Sequence, residues 1–365
     1  MKKFLGSILL LMFFITACNI TAVPNPAPTV APVTQTPSTV NRPPSAYISF
    51  IINVHDWIHA DESADILLKL VDLFEKYNVR GDFYFTAEVT RKLVEERPDV
   101  IKRFKNSDMT ISYHIRPPHP LYTGFDSRLQ NLSDTELHQT LLDYETYALD
   151  LETGDLDRSQ AGSYTYVAQV FGRNPVVAAA PNNDQRIKDT AQKIYASLGA
   201  QMTILYHEEG TKVEQPYEYV NGMLVRPSDF SVTRTTSIDG SDNFWWNFMS
   251  KPNAEEYNPT KMLQSQLAEW ESRNYGRAPF ITSLIHENNY YRSGAEAWSS
   301  IYFTMEKGQK TDPLLPPFDL NAPDPSKLRS PEEQQSIFAA YEELVAYAAA
   351  HLTVVTSEDI LKLAK

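Results

Sequence analysis

The sequence predicts an α/β barrel, a parallel sheet whose strands are joined through helices. Two observations carry that prediction. Short apolar runs of β character alternate with amphipathic helical stretches through most of residues 46–365, with no internal repeat. Four of those runs also end at or just before a histidine: His55, His114, His207 and His286. In a parallel barrel all strand ends of one sense lie on one face, and that face carries the chemistry.

The elements follow in chain order. Residues 47–54 form a strand that stops at His55-Asp56. Residues 62–77 read as a helix, because Ile66, Leu70, Leu73, Phe74 and Tyr77 fall on one face. "GDFYFTAEV" (81–89) and "DMTISYH" (108–114) are strands. Ser133 with Glu136 three residues on makes a capping box, opening a helix that runs to about Leu149. "NPVVAAAP" (174–181) is a strand, 183–198 a helix and "QMTILYH" (201–207) a strand. "APFITSLIH" (278–286) is a strand, 331–350 a helix and 352–363 a final strand and helix. Segments 208–257 and 287–330 are polar, aromatic and proline-rich. They read as long loops grafted on the barrel, not as a second domain.

The N-terminus stands apart from this body. "MKKF" is a short basic segment, followed by an apolar run too short to span a membrane comfortably. "ITAC" then brings the only cysteine, Cys18. The pattern resembles a bacterial lipoprotein signal at residues 1–18, with Cys18 lipidated; an ordinary signal peptide is the alternative. This implies an extracytoplasmic protein that touches a membrane through its lipid anchor only. Residues 19–45 are rich in Pro, Thr and Val and read as a disordered tether. The formal charge is −13, and loss of Lys2 and Lys3 with the signal takes it to −15. A surface so acidic repels polyanions, so no nucleic-acid partner is expected.

Six stretches, in order along residues 46–365, resemble the successive motifs of polysaccharide deacetylases (the NodB-homology domain): "ISFIINVHDW", "VRGDFYFTAE", "MTISYHIRPPHP", "NLSDTELHQTLLDYE", "PFITSLIH" and "LTVVTSEDIL". The resemblance implies a distorted (β/α) barrel of the polysaccharide deacetylase type. It further implies metal-dependent removal of acetyl groups, chiefly N-acetyl, from a glycan or peptidoglycan-type substrate. Carried over by position, Asp56, His114 and His119 fall on the metal ligands and His286 on the catalytic acid. Two imidazoles and a carboxylate leave open coordination positions. Zinc is the default metal for such a set, and iron, cobalt or nickel also suit it.

The chain departs from the family in three places. Position 55 is His where the family has its aspartate base, which makes His55 a replacement base if the chemistry is retained. The arginine that pairs with that base has no counterpart in "VVAAAPNNDQ". His114 and His119 are separated by four residues, where the family has three. A retuned or inactive barrel that binds surface glycans is therefore the rival reading. Other roles are open at single positions. Asp56 could cap the next segment, and His55 with His59 would make a metal pair if both lay on a helix. His207 is a further site candidate, His138 fits a solvated helix face and His351 a structural position. Asn182, Trp245, Trp246 and Tyr290 are the substrate-binding candidates. The aromatic ones lie in loops over the site, where rings stack on sugars.

Overall fold

The computed structural model describes residues 45–204, 216–232 and 258–365. The chain divides into Met1–Arg42 and Pro43–Lys365, and every described residue belongs to the second unit. In order, its elements are β1 (Tyr47–Val54), α1 (Ala60–Lys76), β2 (Asp82–Phe85), α2 (Ala87–Glu96), α3 (Pro98–Lys105), β3 (Thr110–Tyr113), α4 (Asp134–Thr146), β4 (Tyr147–Leu149), β5 (Leu156–Ala161), α5 (Ser163–Phe171) and α6 (Gln185–Leu198). Then come β6 (Met202–Thr203), β7 (Tyr219–Val220), β8 (Met223–Val225), β9 (Phe230–Ser231), α7 (Pro259–Arg273), β10 (Phe280–His286), β11 (Arg292–Ser293), α8 (Ser299–Tyr302), β12 (Phe303–Glu306), β13 (Gln309–Pro313), β14 (Lys327–Leu328), α9 (Pro331–His351), β15 (Thr353–Val354) and α10 (Ser357–Leu363).

The central sheet is parallel, in the order β3-β2-β1-β10-β9, and β15 pairs the start of β1. The wall continues past β3 through Val176 and Val177. The Val176 N–H donates to Ile111 O at 2.9 Å, the Tyr113 N–H donates to Val177 O at 2.8 Å, and Val177 bridges to Met202 of β6. β6 in turn pairs β8 in parallel. This is the distorted (β/α) barrel that the sequence predicts.

The period-2 alternation of β1 divides the core in two. Ile48, Phe50, Ile52 and Val54 pack outward on the helices, with Ile66, Leu67, Leu70 and Phe74 of α1. Ile51 points inward, with Tyr84, Val177, Met202, Leu224 and Phe280. Each outward aliphatic side chain withheld from water contributes about 1.5–3 kcal/mol, which fixes the register of β1 against α1. Both capping boxes at the long helices form: Ser133 with Glu136 opens α4 and Ser330 with Glu333 opens α9.

Five segments differ from the sequence expectation. Tyr147–Leu149, expected as the end of a helix, form β4, and segment 208–257, expected as loop, carries β7, β8 and β9. The run 174–181 holds one isolated bridge instead of a strand, because Ala178–Ala180 supply little side chain for a pleated surface to pack. Residues 87–89, expected as the end of a strand, begin α2, where Thr86 accepts the Val89 N–H as an N-cap. Segment 287–330 is not plain loop: it carries β11–β14 and α8, around an aromatic core of Trp298, Tyr302, Phe303 and Phe318. Among the described residues no helix is long and apolar enough to cross a membrane.

Candidate active site

The strand register brings three histidines to one level of the barrel interior. Asn53 of β1 is level with His286 of β10, and His55 follows two residues on, on the same inward face. Val54, Phe85 and Tyr113 are level across β1, β2 and β3, and the next rung runs His55, Thr86, His114. That rung is held by Thr86 N–H to Val54 O and His114 N–H to Phe85 O, each 3.0 Å. The His55 ring stands edge-on to His286 with centroids 4.7 Å apart, and 6.2 Å from His114. His55, His114 and His286 are all buried. The sequence-based expectation that strand-end histidines share one face thus holds for these three. His207 lies outside the described residues, as do Trp245, Trp246 and Cys18.

Hydrogen bonds set the character of the two central imidazoles. The Trp298 Nε1–H donates to His55 Nδ1 at 3.4 Å. A neutral His55 then carries its proton on Nε2, a buried atom with no partner among the described residues. Burial, the Arg116 charge and the neighbouring imidazoles hold its pKa well below the ordinary value, so His55 is neutral at pH 7. The His286 ring accepts the Asn289 backbone N–H, and the Asn289 side chain answers by accepting the His286 N–H at 3.1 Å. Its other ring nitrogen therefore bears the proton. Both rings present an N–H, not a lone pair. That differs from the expected base role of His55, because the expectation left out the tryptophan that occupies its acceptor nitrogen.

The expected metal set does not converge. Asp56 Oδ1 accepts the backbone N–H groups of Ile58 and His59, both at 3.2 Å. Its Oδ2 accepts from Tyr291 Oη at 2.9 Å and faces His59 Nδ1 at 3.0 Å. The carboxylate is thus spent as a turn cap ahead of α1. His119 Nδ1 accepts the Leu121 N–H at 3.2 Å, and its Nε2 faces Glu145 Oε1 at 3.3 Å, against Tyr144. Among the described residues no group of three His, Cys, Asp or Glu side chains could hold a metal ion. As arranged, Asp56, His114 and His119 do not fit the zinc, iron, cobalt or nickel expected of them. The His55–His59 alternative fails too, since His59 lies between Asp56 and Asp324.

Two substrate-binding expectations are also corrected. Tyr290 is fully buried against Phe338 and Tyr341, because the turn after His286 folds it back onto α9. Asn182 is buried and its amide is used within the fold: Nδ2 donates to Leu121 O and Asp126 Oδ2, and Oδ1 accepts the Asp184 N–H at 2.8 Å. His138 is exposed on α4, as expected, and His351 ends α9, away from the site.

Sequence reasoning missed four neighbours of the cluster. Glu287 is fully buried, and its Oε1 accepts the backbone N–H groups of His55 and Asp56 at 2.7 and 2.6 Å. Burial and the Asp56 charge raise its pKa to about 8. Arg116, Trp298 and Lys310 complete the set. The Arg116 guanidinium and Lys310 Nζ lie 6.0 and 5.0 Å from the Trp298 ring centroid. An arginine does stand by His55, although the third family motif lacks one. It comes from "HIRPPHP" beside a ligand motif, and that proximity in sequence was the available signal. A cavity of about 10 Å³, close to the space of one water, opens between His286, Asn288, Asn289, Arg292 and Glu296.

No family model matches the chain and no curated protein matches it. Among solved structures it is similar to Puue allantoinase, with a TM-score of 0.46 and 11% identity over 87% of this chain and 90% of that one. A probable polysaccharide deacetylase from Pseudomonas aeruginosa PAO1 gives 0.43 and 12%, over 87% and 90%. Peptidoglycan deacetylase PdaC from Bacillus subtilis gives 0.35 and 12%, over 87% and 92%. All three scores lie below 0.5, and they transfer no role to any residue here.

Proposed function

We propose that this chain is a hydrolase that removes acetyl groups, N-acetyl foremost, from a glycan or peptidoglycan-type substrate. The observation that carries the reading is the convergence of His55, His114 and His286 on the inward rung at the C-terminal end of β1, β3 and β10. The ordered run of deacetylase-like motifs supplies the reaction class. The imidazoles supply donors and a proton carrier. Water attacks the acetyl carbonyl, and negative charge gathers on its oxygen. His55 Nε2–H and the proton-bearing nitrogen of His286 stabilise that oxygen, each donor being worth about 10²–10³ in rate. His114 takes the proton from the water and returns it to the departing amine. The same reading places the enzyme outside the cytoplasm, held through Cys18.

The test is acetate release from N-acetylated oligosaccharides and peptidoglycan fragments. Wild type should release acetate, and His55→Ala, His114→Ala and His286→Ala should each lose most of the rate while keeping the fold. Release of no acetate from any acetylated glycan would sink the proposal. A second reading, glycan binding without turnover, draws on the full occupation of the Asp56 carboxylate. It requires glycan binding with no acetate released, whatever divalent metal is supplied.

A further inference from the structure

Arg116 is an unusual arginine for this protein. Most arginines of the barrel are spent in ion pairs on carboxylates: Arg97 on Asp65, Arg103 on Glu75, Arg226 on Asp82, Arg277 on Asp229. Arg116 is half-buried beside the histidine cluster, and among the described residues its buried Nε has no hydrogen-bond partner. The carboxylate whose charge acts on it is Glu296, and Glu296 is already held by Lys310 Nζ at 2.8 Å and by Ser299 Oγ at 3.2 Å. Two cations thus share one carboxylate at the mouth of the barrel. The local balance is positive in a chain of formal charge −13. Trp298 fixes the geometry, since its ring contacts both Arg116 and Lys310 and its N–H holds His55.

A buried guanidinium edge is costly to leave unmade and matches a planar two-oxygen acceptor. We propose that Arg116 is a specificity-determining residue that binds a carboxylate on the sugar next to the acetyl group, so that the substrate is an acidic glycan. The inference rests on the deacetylase reading for the word substrate, but not for the binding preference itself. One carboxylate per bound sugar fits a single unpaired arginine. A densely charged polyanion does not fit the acidic surface around it.

The experiment is calorimetric binding of three oligosaccharides of equal length: a neutral N-acetylglucosamine oligomer, the same oligomer with one sugar oxidised to its uronic acid, and the same oligomer carrying one sulfate. Wild type is expected to prefer the carboxylated one by about tenfold or more, the scale of a charge-assisted hydrogen-bond pair. Arg116→Gln should abolish that preference and leave affinity for the neutral oligomer unchanged. Arg116→Lys, which keeps the charge without the fork, should restore only part of it. Equal affinities in wild type overturn the proposal, as does a preference that survives in Arg116→Gln. Stronger binding of the sulfated oligomer overturns the carboxylate assignment. A preference found without acetate release leaves this inference standing and removes the catalytic reading. If Arg116 served only the transition state, Arg116→Gln would lower turnover of all acetylated oligomers equally and move no affinity.

Discussion

The barrel buries polar side chains at two depths, and it treats them differently. Toward the end opposite the histidines, Asp82 accepts the N–H and Oγ–H of Ser357 and an Arg226 Nη2–H at 3.1 Å. Arg226 also donates from Nη1 to Ser357 Oγ at 2.8 Å and to Tyr84 Oη at 2.5 Å. That network ties the residue after β8 to β2 and to the start of α10. Arg226 Nε is nonetheless buried without a hydrogen-bond partner among the described residues, as are His55 Nε2 and Arg116 Nε at the mouth. The difference lies in charge: Arg226 is neutralised by Asp82, whereas Arg116 makes no ion pair among the described residues, which leaves the mouth as the end with charge to spare.

The comparison can be broken at either end. The largest effect is expected below: Asp82→Ala should cost about 3–5 kcal/mol, because it strands the Arg226 charge in the interior. Urea melts check this, and surviving activity per folded molecule should be unchanged. At the mouth, His286→Ala should lower acetate release by about 10²–10³ while costing only about 1–2 kcal/mol of stability, for the Asn289 N–H it leaves unpaired. A variant as unstable as Asp82→Ala would erase the distinction.

Glu287 belongs to both kinds, and pH separates its roles. Its folded pKa of about 8 lies above the ordinary carboxylate value of 4.5. Between those values the unfolded chain binds fewer protons, so this group's contribution to stability is full below 4.5 and is lost as pH rises toward 8. Unfolding of Glu287→Gln against wild type across that window should show the loss only in wild type. The smallest effect is expected for Trp298→Phe, which keeps the ring and removes the donor to His55 Nδ1. Activity should fall by about tenfold, one hydrogen bond's worth, and the ¹⁵N shifts of His55 should lose their fixed tautomer.

Much of this was readable in the chain. The bounds of β1, the Ser133 capping box and the shared face of three histidines follow from period, spacing and parity, all of which are local. What could not be read is decided by distant partners. A carboxylate at a strand tip can ligate a metal or cap a turn. Asp56 is committed to the turn by Tyr291, 235 residues later. Trp298 sets the tautomer of His55 from 243 residues away. Asn182 and Tyr290 stand near the site in sequence, but packing turned them into the fold.

The bond from the His55 N–H to Glu287 spans 232 positions, which has a meaning for synthesis. β1 is made long before its partner β10, whose first residue lies 233 positions after the first of β1. Until residue 287 is made, one side of β1 is an open edge and the mouth has neither its third histidine nor the carboxyl that braces its backbone. A chain interrupted before that point can bury part of a core but cannot possess the site. Synthesis through β10 and Glu287 is therefore the step that creates whatever activity the mouth supports.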